Sequence, residues 1–170
     1  MSTDTSTDTT TGTATDTTGE RLARTKQLVD EFIQALFTRG ELDAVDRYLA
    51  PHYVDHDPPV PDAPSGREAL RRAAALFRTA FPDWHSDVEQ LVAEGDVVVE
   101  RFTARGTHRG EFLGVPPTGE TVELAGINVF RLEGDRIVER WGRLDELGLL
   151  RRLGLVPAAS TGRVSAPTSR

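Results

Sequence analysis

The sequence predicts a single α+β domain in which helices come first along the chain and a sheet follows. In the first half, apolar residues recur at steps of three and four, the period of one helix face. In the second half they alternate with polar residues, which is the period of a strand. Strands do not alternate with helices, as they would in a parallel sheet. With 170 residues, 38% of them hydrophobic, the chain is long enough for one apolar core.

The two ends of the chain have a different composition from the middle. Residues 1–19 are almost entirely Ser, Thr, Asp, Ala and Gly, and residues 157–170 are similarly poor in large apolar side chains. Such segments bury too little apolar surface to offset the entropy that folding removes. We therefore expect a disordered tail at each end and a folded domain over 20–156.

Three helices are predicted before the sheet. The first helix is expected to end at Gly40 and the second at Pro51. The third is expected to begin at Ser65, whose hydroxyl caps the helix while Glu68 reaches back in an S-x-x-E capping box, and to end at Pro82. The apolar faces of these helices cover residues 22–36, 42–49 and 70–81.

Four segments rich in β-branched residues follow and are predicted to be strands. E-G-D turns at 94–96 and 133–135 precede the second and the fourth of them, and a loop rich in Gly and Pro covers 107–120. A last helix is predicted over 145–153 and is ended by Gly154. The predicted strands are residues 84–93, 97–107, 121–132 and 137–144.

The predicted layers leave room for a ligand between them. An antiparallel sheet commonly buries one face, and here the helices are expected to cover it. A strongly curved antiparallel sheet wrapped around helices encloses a concave space. We expect an internal pocket there that holds a small hydrophobic organic substrate.

Composition argues against several classes of protein. The chain has no cysteine, which removes disulfides and thiolate metal sites and is compatible with a reducing cytoplasm. A net charge of −7 gives no attraction for a phosphate backbone, so nucleic-acid binding is not expected. No apolar run approaches the roughly 18 residues of a spanning helix, and the N-terminus lacks the features of a secretion signal. We expect a cytoplasmic protein without a membrane partner.

Four local motifs occur in order and span essentially the whole predicted domain. They are AFPD at 80–83, THRGEFLG at 107–114 with PTG at 117–119, GDRIVERW at 134–141 and LLRRLG at 149–154. With this order of elements, the chain resembles the SnoaL-like polyketide cyclases, members of the wider nuclear-transport-factor-two-like group that includes ketosteroid isomerase.

The resemblance implies a conical α+β barrel with an internal pocket, a homodimer, and no metal or organic cofactor. Known members close a ring in an aromatic polyketide by intramolecular aldol condensation, and relatives with the same fold act as hydroxylases, isomerases or epoxide hydrolases. In the aromatic-polyketide cyclases the acid/base carboxylate directly follows the tryptophan of an E-x-W motif. Here that position is Gly142, which has no proton to transfer, and the nearest carboxylate is Asp145.

Asp145 is therefore the first candidate for the acid/base residue, because it follows the last strand. Cofactor-free carbon-acid chemistry needs a base with a pKa between about 5 and 8, and burial in an apolar pocket raises the pKa of an aspartate in that direction. The alternative is that Asp145 is only the N-cap of the last helix. Arg143 shares a strand face with Asp145, and an ion pair between them would instead lower the pKa of the aspartate.

Two histidines are the next candidates. His56, in YVDHDP, titrates near the required pH beside aspartates that can fix its tautomer, or it is a solvated residue of an Asp-Pro turn. His52 and His56 have the i, i+4 spacing of a helical metal pair, but Pro51 begins an extended segment, so we expect no metal site. His108 either donates a hydrogen bond to a substrate carbonyl or only holds its own loop.

Five residues are candidates for binding substrate. Asn128 interrupts an apolar strand and therefore requires a partner or a ligand. Trp141 is either a ligand platform or a core residue, and Glu139 is either a buried base or an ion-pair partner. Phe112 and Tyr53 complete the set, the former from the THRGEFLG motif and the latter from YVDHDP.

The function predicted from the sequence is a cofactor-independent cyclase or isomerase of small-molecule secondary metabolism that works by acid/base catalysis in an apolar pocket. A hydroxylase or an epoxide hydrolase on the same scaffold is the first alternative. A small-molecule-binding protein without catalysis is the second, and the missing carboxylate at Gly142 is the argument for it. A fold by itself does not choose among these functions.

Overall fold

The computed structural model describes residues 17–58 and 66–156. Residues 1–16 of the first predicted tail, the whole second predicted tail (157–170) and the proposed cap Ser65 lie outside these ranges. The first helix begins at Thr18, two residues before the expected start of the domain. Thr17 and Glu20 form a capping box there, since the Thr17 hydroxyl accepts from the Glu20 N–H and the Glu20 carboxylate accepts from the Thr17 N–H.

In the described part of the chain, four α-helices and one π-helical turn form the covering layer. The turn continues the first helix, and the chain then reverses at Gly40, whose positive φ of 72° favours glycine. The third helix has Gly66 at its N-cap position, with no side-chain cap. The elements are α1 (Thr18–Ile33), the π-helical turn (Gln34–Thr38), α2 (Ala44–Tyr48), α3 (Arg67–Ala80) and α4 (Glu146–Arg152).

One five-stranded sheet forms the second layer, with the strand order β1-β5-β4-β3-β2. The four predicted strands are confirmed to within about two residues at each end, and both E-G-D turns separate strands as expected. The strands are β1 (Leu49–Asp55), β2 (His85–Glu94), β3 (Val97–Thr107), β4 (Thr121–Glu133) and β5 (Arg136–Leu144).

The strand β1 was not predicted, and it makes the sheet mixed because it runs parallel to β5. The expectation of a purely antiparallel sheet was therefore wrong at this edge. Pro51 lies inside β1, where it cannot donate a ladder hydrogen bond. An edge strand tolerates this loss because one side of its backbone has no neighbouring strand.

The concave face of the sheet is apolar apart from a short polar row. Alternate residues of β3 are buried on this face, among them Val98, Phe102 and Ala104. Two buried clusters pack there against the helices, one mainly against α1 and the other around the end of α3 and α4. The polar row lies between the two clusters, and it faces the space enclosed by the sheet and the helices. Among the helices of the described residues, none combines the length and apolar character that crossing a membrane requires.

Candidate active site

A cavity lies between the concave face of the sheet and the helices α1 and α3. Its volume, counted as the space open to the centre of a water-sized molecule, is about 60 Å³, and it opens to solvent. Its polar lining comes from Ser86, Glu100, Asn128 and Arg140. Its aromatic lining comes from Phe32, Phe37, Phe77, Trp84, Phe102 and Phe130.

The polar lining is placed by strand register. Glu100 of β3 pairs with Asn128 of β4, and Asn128 pairs with Gly142 of β5. Directly opposed residues of an antiparallel sheet project from the same face, so the three positions form one row across the cavity floor. The Nδ2 of Asn128 donates to Oε2 of Glu100 at 2.8 Å. Asn128 was predicted to require a partner or a ligand, and it lies in the cavity lining with Glu100 as its partner.

Arg140 extends this row to the edge strand. Its Nε donates to Oδ1 of Asn128 at 3.0 Å, and its Nη1 lies 3.0 Å from both carboxylate oxygens of Asp55. Nη1 also donates to the main-chain oxygen of Asp57 at 3.1 Å. The side chains of Arg140 and Asp55 are only 7% and 1% exposed, so this ion pair is buried. A continuous chain of hydrogen bonds therefore runs from Asp55 through Arg140 and Asn128 to Glu100.

Gly142 makes room for the guanidinium of Arg140. A Cβ atom at position 142 would lie 2.5 Å from Nη2 and 3.0 Å from Cζ of Arg140, and 3.2 Å from Oδ1 of Asn128. Such distances are too short for any side chain to be accepted without moving the guanidinium. The arginine therefore fills the place where the resemblance leads one to expect a carboxylate.

Glu100 has the properties required of an acid/base residue. Its side chain is fully buried, and burial raises its pKa to about 7, although the hydrogen bond from Asn128 and the charge of Arg140 act in the opposite direction. The Oε1 atom has no hydrogen-bond partner among the described residues. A carboxyl group with a pKa near neutrality and a free oxygen at an apolar cavity can both accept and return a proton.

Tyr53 belongs to the first buried cluster and is not part of the cavity lining. It is buried, and its hydroxyl is 3.4 Å from Oδ2 of Asp55. Burial and the neighbouring carboxylate of Asp55 raise its pKa, so the phenol stays protonated. The structure thus places Tyr53 beside the ion pair of Asp55 and Arg140, one step away from the lining.

Asp145 lies at the start of α4 and outside the cavity lining. It is exposed, and its Oδ1 accepts from the Gly148 N–H at 2.9 Å, the geometry of an N-cap. The ion pair considered between Arg143 and Asp145 is not formed, because Arg143 instead pairs with Asp57 at 2.6 Å. The structure supports the capping interpretation of Asp145.

Trp141, Glu139 and His56 meet on the outer face of the sheet. Trp141 and Glu139 alternate along β5 with Arg140 and Gly142, and the side chain of Arg140 lines the cavity. His56 stacks on Trp141 with ring centroids 4.5 Å apart, and its Nε2 is 3.8 Å from Oε2 of Glu139. The sheet therefore lies between these three residues and Glu100.

Phe112 belongs to the second buried cluster, and His108 packs against Phe81 of the same cluster. Nδ1 of His108 accepts from the Thr118 N–H at 3.3 Å, so the imidazole holds its own loop closed. Its ring centroid lies 5.3 Å from that of Phe81, and Nε2 has no hydrogen-bond partner among the described residues. Phe112 packs behind Phe77, a lining residue, with ring centroids 5.3 Å apart.

The sequence analysis missed Glu100, Arg140 and Asp55 as site residues. The signal for Glu100 was the one used for Asn128, since it also interrupts an apolar strand, in VVVERFTA. The adjacent Arg101 concealed this signal because two neighbouring charges are typical of a solvated turn or edge. No sequence signal pairs Asp55 with Arg140, because the register of a parallel strand is not encoded by spacing. Within 17–58 and 66–156, no group of three or more His, Asp or Glu residues is placed to hold a metal ion.

These features define a class: an α+β protein whose apolar cavity contains a buried carboxyl group that titrates near neutral pH. A sequence model of the SnoaL-like polyketide cyclases matches residues 27–153, and the chain belongs to this family of enzymes. The five-stranded sheet with its helices is the cone-like fold of the family.

Individual relatives are more distant. The chain is 28% identical over 134 residues to the aklanonic acid methyl ester cyclase DnrD of Streptomyces peucetius, covering 75% of this chain and 88% of DnrD. It is 30% identical to a pathogen-related protein of barley, Hordeum vulgare, covering 78% of this chain but only 58% of that protein. The crystal structure of AclR from Streptomyces galilaeus, provisionally assigned as a hydroxylase, matches with a TM-score of 0.71 and 30% identity, over 80% of this chain and 99% of AclR.

Proposed function

We propose that this protein is a cofactor-independent cyclase that closes a ring in a small hydrophobic polyketide-type molecule, with Glu100 as the acid/base residue. The observation that carries the proposal is the free Oε1 of a fully buried Glu100 at the cavity. The chain has no cysteine, which is compatible with action in a reducing cytoplasm.

The proposed reaction is an intramolecular aldol addition. The carboxylate of Glu100 takes a proton from a carbon next to a carbonyl group, and the electron pair of that C–H bond moves onto the carbonyl oxygen. The resulting enolate carbon attacks a second carbonyl carbon of the same molecule, forming one C–C bond. The alkoxide left on the second carbonyl then takes the proton back from Glu100. No atom is gained or lost, and no oxidant or reductant is needed.

The cavity lining favours a flat, apolar substrate. Apart from four residues with polar side chains, the lining is aliphatic or aromatic, and the polar side chains Glu100, Asn128 and Arg140 converge on one part of the floor. Convergent polar groups in an apolar pocket fix the orientation of a ligand, and holding the reacting atoms together supplies part of the rate acceleration.

The mass balance of the product tests the proposed reaction. With aklanonic acid methyl ester as the trial substrate, taken from the name of the relative DnrD, we expect an isomer of unchanged mass. A hydroxylase would add one oxygen atom, and an epoxide hydrolase acting on an epoxide would add one water. Mass spectrometry of the product separates these outcomes, and a product heavier by one oxygen or one water would contradict the ring closure.

Epoxide opening is a second candidate because of the buried ion pair between Arg140 and Asp55. Such a pair beside a carboxyl group can orient a water molecule and protonate an epoxide oxygen. Incubation with an epoxide such as styrene oxide in ¹⁸O-labelled water tests this activity, since opening transfers one labelled oxygen into the diol. Unlabelled or unconverted epoxide would contradict epoxide opening.

We also propose that the protein is a homodimer formed through the outer face of the sheet. This face presents Val54, Val92 and Ile127, which are 44%, 52% and 45% exposed, next to the stacked pair of His56 and Trp141. Exposed apolar side chains clustered on one face mark an interaction surface. A second copy of the chain would cover it by two-fold symmetry.

Replacing Ile127 with aspartate is expected to convert the dimer into a monomer. A charge in the middle of an apolar contact is costly to desolvate, whereas the free monomer leaves it in water. Light scattering at micromolar concentration should give about twice the chain mass of 18.6 kDa for the wild type and about one chain mass for Ile127→Asp. Leu147→Asp, at a position that is 46% exposed on α4, is the control and should remain dimeric. A monomeric wild type would refute the proposal.

A further inference from the structure

One nitrogen of the buried Arg140 has no acceptor among the residues that the structure describes. Nε and Nη1 donate to Asn128, Asp55 and Asp57, whereas no described residue accepts a hydrogen bond from Nη2. The residue is only 6% exposed. Arg140 lines the cavity, so a guanidinium nitrogen without an acceptor among the described residues is available to an acceptor supplied by a ligand.

The free nitrogen lies on the cavity side of the sheet. Gly142 is buried and in register with Asn128, and Nη2 occupies the space that a Cβ of residue 142 would fill. Asn128 joins the two free groups, since its Oδ1 accepts from Arg140 and its Nδ2 donates to Glu100. One amide therefore separates Nη2 of Arg140 from Oε1 of Glu100, the two atoms of this chain of hydrogen bonds that have no partner within 17–58 and 66–156.

We propose that Arg140 is a second catalytic residue, whose Nη2 binds the carbonyl oxygen that becomes the enolate oxygen while Glu100 takes the proton from the neighbouring carbon. The absence of a side chain at Gly142 allows the guanidinium to reach this position. This inference rests on the proposed function, because it assigns the oxygen-binding group of the same reaction.

The charges of the site are consistent with this role. Asp55 already compensates Arg140, so the guanidinium is held in place before substrate arrives and needs no reorganisation. When the carbon loses its proton, Glu100 becomes neutral and the negative charge moves to the enolate oxygen. The net charge of the cavity stays constant, and the charge moves onto the free N–H donors. Donors fixed in an environment of low dielectric constant stabilise such charge most effectively.

Anion binding by an unreactive probe tests this inference. The probes are 4-nitrophenolate and nitrobenzene, which have similar shape but differ in the charged oxygen. Glu100→Gln is the parent protein, so that no carboxylate repels the phenolate. At ~pH 8.5, where the phenol is ionised, we expect calorimetry to show phenolate binding at least about tenfold tighter than nitrobenzene.

Two further substitutions, each added to the Glu100→Gln parent, test the contribution of Arg140 to phenolate binding. Gly142→Ala displaces the guanidinium without removing it, and Arg140→Lys keeps a charge near Asp55 but removes Nη2. Both should bring the two affinities within about twofold, because the phenolate loses its donor. Asp145→Asn is the control, since Asp145 lies outside the cavity lining and its replacement should not affect the ratio. Unchanged nitrobenzene affinity shows that the cavity is intact.

The outcomes separate this inference from the proposed function. Equal affinities in the parent, a preference that persists in both Gly142→Ala and Arg140→Lys, or a preference lost in Asp145→Asn would overturn the role of Arg140. None of these results depends on whether Glu100 transfers a proton, since the probe has no carbon acid and the parent lacks the carboxyl group. A preference that disappears in the two Arg140-directed variants alone supports the inference, even if Glu100 proves not to be the base.

Discussion

Replacing Glu100 with glutamine is expected to reduce turnover at least about 100-fold, because general acid/base catalysis contributes about 10² to 10⁴ to a rate. Glutamine has nearly the same shape as glutamate, and its amide oxygen can still accept the hydrogen bond that Oε2 now accepts from Asn128. It has no proton to accept or return. The loss should therefore appear in kcat, with little change in KM, since an interaction that acts in the transition state is removed.

Asp145→Asn is the matched control for this experiment. It makes the same carboxylate-to-amide change at the position where the resemblance in sequence first directed attention. Because Asn caps a helix as well as Asp, both turnover and the free energy of unfolding should be nearly unchanged. Asp145→Ala should instead lower the free energy of unfolding by about 1 kcal/mol without affecting kcat.

Steady-state kinetics of the two variants side by side decide between the carboxylates. Wild-type turnover in Glu100→Gln would remove Glu100 from the mechanism. A 100-fold loss in Asp145→Asn together with normal turnover in Glu100→Gln would return the acid/base role to the end of β5.

The fold could be predicted from the sequence where local signals are strong. The strands β2 to β5 alternate clearly and are separated by E-G-D turns, and their predicted bounds agree with the structure to within about two residues. The strand β1 lacks such signals. Leu49–Asp55 contains a proline, follows a helix without a glycine, and pairs in parallel with a strand that comes some 80 residues later. Only tertiary contacts make it a strand.

The candidate site was predicted less completely because it is built across strands. Asn128 was recognised as a polar residue in an apolar strand, but its neighbours in space are separated from it by 28 residues for Glu100 and 12 for Arg140. Sequence spacing along one motif placed the acid/base residue near Gly142. The structure offers a different candidate. Position 142 has no side chain and leaves room for Arg140, and the buried carboxyl group belongs to Glu100 on β3, two strands away from β5 in the sheet.

The burial of Glu100 also predicts how stability depends on pH. Burial raises the pKa of the folded protein's Glu100 to about 7, whereas the same carboxyl group in the unfolded chain titrates at about 4.3. Between these values the folded protein binds one proton that the unfolded chain does not. The stabilising contribution of this proton is fully present below about pH 4 and is lost as the pH rises through about 7. The wild type should therefore lose roughly 3 kcal/mol of unfolding free energy over this range from Glu100 alone.

Glu100→Gln removes this loss because glutamine does not titrate. Urea denaturation of both proteins at a series of pH values measures the difference, and every other titrating group cancels in the comparison. Relative to the wild type, the free energy of unfolding of the variant should rise by roughly 3 kcal/mol between about pH 4.5 and pH 8. The difference should level off once the pH exceeds the pKa of Glu100 in the folded protein. Parallel curves for the two proteins would mean that Glu100 titrates as an ordinary carboxyl group. A carboxyl group ionised well below neutral pH would be too weak a base for the proposed proton transfer, so the same curves also test the chemistry of the site.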